Sequence, residues 1–223
     1  GIDYIVRMQF TEAFSNQTPE QFVQKILVQG VNTKSLYIGY DHRFGNDRAG
    51  DIIYLKANAS FFGFTVNEIS RHDIDDVGIS STKIREALSG GNISLANALL
   101  GREYSLRGEV VTGAQKGRLI GFPTANIKIA EDYKLLPKDG VYAVKVKENG
   151  QLYKGMLNIG FKPTVSGNSR SIEVNIFDFE KSIYGQKINI FFCDFIREER
   201  KFDSLEKLKD QLLVDKKSAL QIL

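Results

Sequence analysis

The sequence predicts an α/β domain followed by a β-rich domain that forms a small barrel, with a helix at the carboxy terminus. Up to about Gly101, short apolar runs alternate with helical periodicity, and this alternation indicates a parallel sheet with helices. From Leu106 apolar residues recur with period two between Gly, Asn and Pro, which is typical of a small barrel. A chain of 223 residues suffices for two modest cores, so we place the domains at residues 1–101 and 102–223.

The first domain is predicted to alternate three strands with three helices. Thr18, Pro19 and Gln21 supply an N-cap, a proline at the first helical position and a capping-box partner, so a helix begins there. The glycines after Ser89 end the last helix of this domain. The predicted strands are Ile2–Met8, Ser35–Tyr40 (buried) and Thr65–Ser70, and the two further helices are Ala49–Phe62 and Ser80–Ser89.

The second domain is predicted to be built from strands of period two, closed by a helix. Asp203 and Glu206 have capping-box spacing, and an apolar face of leucines should lie against the barrel. That face consists of Leu205, Leu208, Leu212 and Leu213. The predicted strands are 124–130, 141–147, 152–159, 172–179 and 187–195.

Composition narrows the function classes. Lys and Arg total 30 against 27 acidic residues, and a net charge of +3 over this length does not indicate a nucleic-acid partner. No apolar run approaches the roughly 20 residues of a membrane span. The single cysteine, Cys193, lies in an apolar run and can form neither an internal disulfide nor a Cys-rich zinc cluster, which favours a reducing, cytoplasmic setting. His42 and His72, the two histidines, form no metal-binding pair.

The densest chemical signal is a glycine-rich loop before the first predicted strand of the barrel. Gly113, Gly117 and Gly121 recur at a spacing of four and enclose Lys116 and Arg118, so backbone amides and cations could hold a polyphosphate. The loop is not a Walker motif, because a proline and an extended segment follow it. The alternative is a glycine-rich turn before a strand, with ordinary polar surface residues.

Two candidate sites follow on predicted strands. Side chains alternate along a strand, so Thr124 and Asn126 share one face, and their oxygens suit Mg²⁺ beside ATP. Glu173 lies between Ile172 and Val174, which point to the other face, and a carboxylate held on a strand suits proton abstraction from a hydroxyl. The alternative for Glu173 is a solvent-facing residue on a half-exposed strand.

A third candidate site lies in the first domain. One polar segment, including Asp41, follows a predicted strand, and a second begins a predicted helix, where hydroxyls, amides and Arg85 could receive phosphate. For the serines the alternative is plain N-capping. The residues concerned are Asp41, Phe44, Gly45, Ser80, Ser81, Thr82 and Arg85.

Taken together, these segments resemble a known enzyme family. The segments 39–45 and 79–85 resemble the two later motifs of the bacterial FMN adenylyltransferase domain, whereas 117–127, 140–142, 158–160 and 172–185 resemble the flavokinase domain. The chain is thus similar to the bifunctional FAD synthetases, in which riboflavin kinase is joined to FMN adenylyltransferase. The resemblance implies a partial Rossmann-like nucleotidyltransferase domain followed by a six-stranded Greek-key flavokinase barrel.

The resemblance also implies roles for particular residues. Thr124 and Asn126 become ligands of Mg²⁺ and of the ATP phosphates, Glu173 becomes the base acting on the ribityl 5′-hydroxyl of riboflavin, and the glycine loop with Lys116 or Arg118 positions ATP. The implied reaction converts ATP and riboflavin to FMN and ADP, in a protein that when complete also adenylylates FMN to FAD.

The sequence departs from the family pattern at three places. The His-x-Gly-His motif that grips ATP for adenylylation is absent, so we expect an amino-terminally truncated chain that makes FMN but not FAD. Asn175 replaces the usual His and His42 replaces a frequent Phe, and neither is assigned to catalysis.

Two other readings stay open. The chain could retain FMN adenylyltransferase activity, or it could be a non-catalytic module that binds flavin or nucleotide. A barrel for single-stranded nucleic acid is disfavoured, because the mixed charges form no basic groove with aromatic platforms. The oligomeric state is not predicted.

Overall fold

The computed structural model describes residues 1–70, 73–74, 77–113, 116–131, 133–164 and 167–223, with backbone alone at 73–74, 77–78, 116, 162–164 and 167–169. His72 and the side chain of Lys116 therefore lie outside it. The chain divides into two compact units, Gly1–Gly78 and Ile79–Leu223. Two helices that precede residue 101 thus join the barrel unit, and the predicted domain boundary between residues 101 and 102 stays a prediction.

The first unit contains a small parallel sheet and its helices. Strands β1 (Ser35–Gly39) and β2 (Thr65–Ile69) pair in parallel, with Ser35 opposite Thr65, which confirms the predicted sheet direction. The helices are α1 (Glu12–Ser15), α2 (Pro19–Phe22), which continues in π-helical geometry over Val23–Gly30, and α3 (Ile52–Phe62). The strands β3 (Asp73–Ile74) and β4 (Val77–Gly78) form an antiparallel pair.

The capping box at the start of α2 is confirmed. The backbone N–H of Gln21 donates to Thr18 Oγ1 at 3.2 Å, and the backbone N–H of Thr18 donates to Gln21 Oε1 at 3.1 Å. α3 begins at Ile52 and not at Ala49, because Asp51 is its N-cap and accepts from the Tyr54 N–H at 2.8 Å. Each helix therefore begins where a side chain satisfies a free N–H.

Two strand predictions in this unit are wrong. Residues 2–8 form no strand, since apolar content favours an extended chain but a strand also needs a partner, and Tyr4 and Ile5 are 89% and 87% exposed. β1 is not a buried strand, because only Ile38 on it is buried and Tyr37 is 69% exposed. The core of this unit is formed by Val23, Ile38, Phe44, Ile52, Leu55, Phe62 and Phe64.

The second unit is a closed barrel of six antiparallel strands, as predicted. They are β5 (Tyr104–Val111), β6 (Ala125–Ile129), β7 (Gly140–Glu148), β8 (Gln151–Thr164), β9 (Gly167–Ile176) and β10 (Lys187–Arg197). Their order around the barrel is β10-β5-β6-β9-β8-β7, so β10 returns to lie between β5 and β7 in a Greek-key connection. Closure leaves no free sheet edge in the barrel.

Four helices accompany the barrel among the residues that the structure describes. α4 (Ser81–Gly90) confirms the predicted helix but lies one residue later at each end, with Ser80 as its N-cap and Gly91 as its C-cap, and α5 (Ile93–Leu100) was not predicted. α4 and α5 contribute Ala87, Leu88, Ile93 and Ala96 to the same core as the barrel interior. The glycine loop contains the short α6 (Lys116–Leu119), which was not predicted, and α7 (Leu205–Ile222) is the carboxy-terminal helix.

α7 packs on the outside of the barrel, which confirms its predicted place but corrects its details. Its N-cap is Ser204, not Asp203, and accepts from the Lys207 N–H at 3.2 Å. Ala219 is buried against β7 and β8 with Leu212 beside it, whereas Leu205 and Leu213 are exposed. Adjacent helical residues lie about 100° apart, so Leu212 and Leu213 cannot both face the barrel. No helix in the described part of the chain is long and apolar enough to cross a membrane.

Candidate active site

The candidate site lies where β6 meets β9, a pairing that we call the seam. Across the seam Asn126 lies opposite Glu173, and Ala125 opposite Val174. Ile172 and Val174 are buried in the barrel interior, so Glu173 points to the opposite face, as predicted. The strand register therefore places the two polar side chains together.

Thr124, directly before β6, joins this pair. Its hydroxyl donates a hydrogen bond to Glu173 Oε2 at 3.1 Å. Both side chains are partly buried, and this bond orients the carboxylate at the edge of the seam. The structure thus brings together Thr124 and Asn126, the predicted metal ligands, and Glu173, the predicted base.

The glycine loop folds back towards the seam. The backbone N–H of Phe122 donates to the carbonyl of Gly117 at 2.9 Å, and Gly121 has a φ of 83°, which favours glycine. A Cβ at Gly117 would collide with the Phe122 carbonyl oxygen, and a Cβ at Gly113 would collide with the side chain of Asn126. Close packing against the backbone therefore requires glycine at position 117, whereas a side chain at position 113 would displace that of Asn126. Arg118 is exposed, and polyphosphate binding by this loop stays a prediction.

A cavity of about 360 Å³ opens on the Glu173 side of Thr124. One part of its lining is apolar and includes Phe122 and Met156, together with Leu208 and Leu212 of α7. Its polar residues include Thr124, Asn158, Glu173, Asn175, Arg197 and Glu199. This larger cavity suits a flat, largely apolar ligand that carries a polar substituent.

A smaller cavity of about 130 Å³ lies on the other side of Thr124. Its lining includes Arg118, Pro123 and Lys181, together with Ile183 and Tyr184. Thr124 lines both cavities. A group bound in one cavity can therefore approach a group bound in the other at this residue.

A buried ion pair fixes one wall of the larger cavity. Arg197 Nη2 lies 2.7 Å from Asp215 Oδ2, and Arg197 Nε also donates to Asp215 Oδ1 at 2.9 Å. Gln211 Nε2 donates to the same Oδ1 at 2.8 Å. The Arg197 guanidinium lies 5.7 Å from the ring centre of Phe202, another cavity residue. α7 thus holds the wall through a charge-assisted pair.

The seam residues fit a small divalent cation. Thr124, Asn126 and Glu173 offer hydroxyl, amide and carboxylate oxygens on one face, which is the donor chemistry that Mg²⁺ prefers. Within the described residues, no cluster of three or more His, Cys, Asp or Glu side chains could hold a metal ion. Mg²⁺ does not need such a cluster, because it usually keeps waters and substrate phosphates as further ligands.

The residues proposed for adenylylation fall in two different compact units. In the first unit Phe44 is a core residue, Asp41 is exposed, and Gly45 has a φ of 74°. In the second unit Ser80 caps α4 and accepts from the Lys83 N–H at 3.3 Å. The remaining three, Ser81, Thr82 and Arg85, are exposed. Phe44 and Ser80 therefore have structural roles, and the proposed catalytic roles stay predictions.

Sequence reasoning did not assign seven polar or aromatic residues of the larger cavity. Two of them could have been found from strand pairing: Asn175 is two residues from Glu173 on the same strand face, and Asn158 lies opposite Glu173 in the β8–β9 register. The run of charged residues that follows β10 is a further signal. The seven are Phe122, Asn158, Asn175, Arg197, Glu199, Arg200 and Phe202.

Comparison with known proteins agrees with this geometry. A flavokinase family model, described as riboflavin kinase, matches residues 100–223, and an FAD synthetase model matches residues 1–83. A bifunctional riboflavin kinase/FMN adenylyltransferase of Haemophilus influenzae is 40% identical over 219 residues, covering 98% of this chain and 70% of the relative. The protein of the same description from Bacillus subtilis is 37% identical over 225 residues, covering 99% and 70%.

A solved structure shares the fold over most of the chain. A crystal structure described as a macrolide-efflux protein from Streptococcus pneumoniae superposes with a TM-score of 0.85 at 37% identity, covering 94% of this chain and 67% of that one. The two family models together match both units, and the curated relatives match nearly the whole chain. The chain therefore belongs to the family of bifunctional riboflavin kinase/FMN adenylyltransferases.

Proposed function

We propose that the chain transfers the γ-phosphate of ATP to the 5′-hydroxyl of riboflavin, giving FMN and ADP. The observation that carries this is the position of Thr124, which lines both cavities and is bonded to Glu173. A phosphate donor and a hydroxyl acceptor in the two cavities would meet beside a carboxylate. This is the arrangement that phosphoryl transfer to an alcohol requires.

The larger cavity is proposed as the riboflavin site. Its apolar part accepts the flat ring system, and its polar part lies at Glu173, where the ribityl chain would end. Because Glu173 lines only this one of the two cavities, the hydroxyl that loses its proton belongs in the larger cavity. The aromatic and methionine walls are typical of sites for planar ligands.

The smaller cavity and the glycine loop are proposed as the ATP site. Arg118 and Lys181 provide positive charge there, and Pro123 and Ile183 provide apolar contacts. The loop amides at Gly113, Gly117 and Gly121, with Lys116, would complete the phosphate site. Thr124 and Asn126 would hold Mg²⁺, which when bound neutralises charge on the phosphates.

Glu173 is proposed as the general base. It accepts the proton of the 5′-hydroxyl as that oxygen forms a bond to the γ-phosphorus. The bond from the γ-phosphorus to the β–γ bridging oxygen breaks, and ADP leaves with the bonding electrons. The bond donated by Thr124 keeps the carboxylate at the seam, where both groups arrive.

The alternative that the sequence left open, adenylylation of FMN to FAD by this chain, is supported by the match of residues 1–83 to the FAD synthetase model. We assign Asp41, Phe44, Gly45, Ser80, Ser81, Thr82 and Arg85 to it. Small molecules are the proposed partners, with no role for nucleic acid. A reducing, cytoplasmic setting suits Cys193, which is half buried and unpaired with another cysteine.

Incubation with riboflavin and Mg-ATP, followed by chromatographic separation of flavins, tests the proposal. We expect FMN and ADP to appear in equal amounts. A folded chain that binds riboflavin but yields no FMN would support the binding-module reading instead. A parallel incubation with FMN and Mg-ATP tests for FAD, and it separates the two activities.

A further inference from the structure

Asn175 makes a buried bond to the segment that carries Thr124. It lies two residues after Glu173 on the same face of β9 and is 7% exposed. Its Nδ2 donates to the carbonyl oxygen of Pro123 at 2.6 Å. Pro123 directly precedes Thr124, so alternate residues of β9 hold two consecutive residues of the facing segment.

This bond lies just beyond the end of the strand pairing. The last β6–β9 pair on this side is Ala125 with Val174, so Asn175 faces a segment that no longer follows the ladder. Pro123 has no N–H and can offer only its carbonyl. The Asn175 amide binds that carbonyl and extends the seam by a side-chain bond.

We propose that Asn175 is a positioning residue for phosphoryl transfer, which rests on the function proposed above. Its bond to Pro123 fixes the segment from which the Thr124 hydroxyl reaches Glu173. Without this bond the segment is free to move away from β9, and Thr124 moves with it relative to the base. Displacements near 1 Å at a reacting centre cost about 10²-fold in rate.

Asn175→Asp is the discriminating substitution, because it keeps the shape and removes the donor. An ionised Asp repels the Pro123 carbonyl, whereas a protonated Asp can donate to it. The introduced carboxyl would share the cavity with Glu173 and Glu199, and with Arg197 and Arg200. Whatever its pKa, activity relative to the parent chain must rise as pH falls through that value.

Asn97→Asp is the matched control. Asn97 Nδ2 donates to the carbonyl of Phe192 at 2.9 Å, so the same substitution breaks the same kind of bond in the same unit. Asn97 lines neither cavity of the seam. We expect it to lower thermal stability without changing the kcat of the folded protein. Asn175→His, which keeps a ring N–H donor, should recover part of the activity.

Above the pKa of the introduced carboxyl, kcat of Asn175→Asp should fall by roughly 10- to 100-fold, with KM for riboflavin changed less than about threefold. Amide hydrogen exchange of the peptide spanning 119–127 should rise in Asn175→Asp and stay at the parent rate in Asn97→Asp. Unchanged kcat, a raised KM alone, or unchanged exchange in that peptide would each overturn the inference. An inactive parent chain with raised exchange in the variant would instead reject the proposed function and leave the positioning contact supported.

Discussion

The hydroxyl of Thr124 donates to the carboxylate of Glu173 across the seam, so the residue shared by both cavities is bonded to the proposed base. Phosphate position and proton acceptance are therefore coupled by one hydrogen bond. Variants at Glu173 and at Asn126 separate these two contributions.

Glu173→Gln removes the proton acceptor while keeping size and most hydrogen bonding. We expect kcat to fall by roughly 10²–10⁴-fold, the usual contribution of a general base, towards the lower end because a loose transition state needs less help. KM for riboflavin should change little. Asp178→Asn is the control, because Asp178 is exposed just after β9 and its positive φ suits Asn. Turnover of Glu173→Gln within a few-fold of the parent would show that Glu173 is not the base.

Asn126→Ala removes an amide oxygen from the seam. Productive Mg-ATP binding should weaken, seen as a higher KM for ATP and a higher Mg²⁺ requirement, because a proposed ligand is lost. Riboflavin binding, followed by the quenching of flavin fluorescence, should survive. Equal losses of flavin affinity and ATP use in a folded variant would show that the cation lies elsewhere.

Gly113→Ala tests the packing of the glycine loop. The added Cβ collides with the side chain of Asn126, which must move, so ATP use should fall by roughly 10-fold or more while the fold persists. Gly90→Ala is the control, since its added Cβ meets open space at the end of α4. Parallel assays of both variants with varied ATP give the comparison, and equal kinetics would contradict the packing role.

Asp215→Ala breaks the ion pair behind the larger cavity. Its carboxylate is 1% exposed, so removal leaves Arg197 charged and partly buried, and the free energy of unfolding should fall by about 3 kcal/mol. KM for riboflavin should rise, because Arg197 and Phe202 line the cavity. Urea denaturation measures the first effect. Asp203→Ala, which breaks an exposed pair with Lys207 beside the same helix, should cost almost nothing.

Cys193 should react slowly with thiol reagents in the folded chain. Burial, reinforced by Glu103, raises the pKa of its thiol to about 11, so at pH 8 about one part in a thousand is thiolate. The stability that this proton contributes is present below about pH 9 and is lost as pH rises towards about 11. Alkylation at pH 8 with and without urea checks the first point, and equal rates would contradict it.

Period-two patterns predicted which side chains share a face of a barrel strand. Ile172 and Val174 are apolar neighbours of Glu173, so the face of Glu173 followed from the sequence, and so did the shared face of Thr124 and Asn126. Local patterns could not predict that Asn175 bonds to Pro123, which lies 52 residues earlier in the chain. Strand pairing decides such contacts, and it depends on the whole barrel.

The predictions for residues 2–8 and for the inner face of α7 were wrong because each used only the residues of the element itself. Residues 2–8 have the apolar content of a strand, but pairing needs a neighbour, and that information is not local. The leucines of α7 predicted the helix but not which of its faces lies against the barrel. That face contains Ala219 and Asp215, and Asp215 is buried because it forms an ion pair with Arg197. A buried charge at that position is unexpected from a pattern of leucines.

The strands on either side of β9 hold it very unequally. In the described part of the barrel β9 pairs with β8 over ten residue pairs and with β6 over two. Local opening costs less free energy where fewer hydrogen bonds break, so we expect β9 to separate from β6 before it separates from β8. A brief separation at this joint would therefore expose the candidate site while the barrel interior stays packed, and the same short joint limits how rigidly Thr124 and Glu173 are held together.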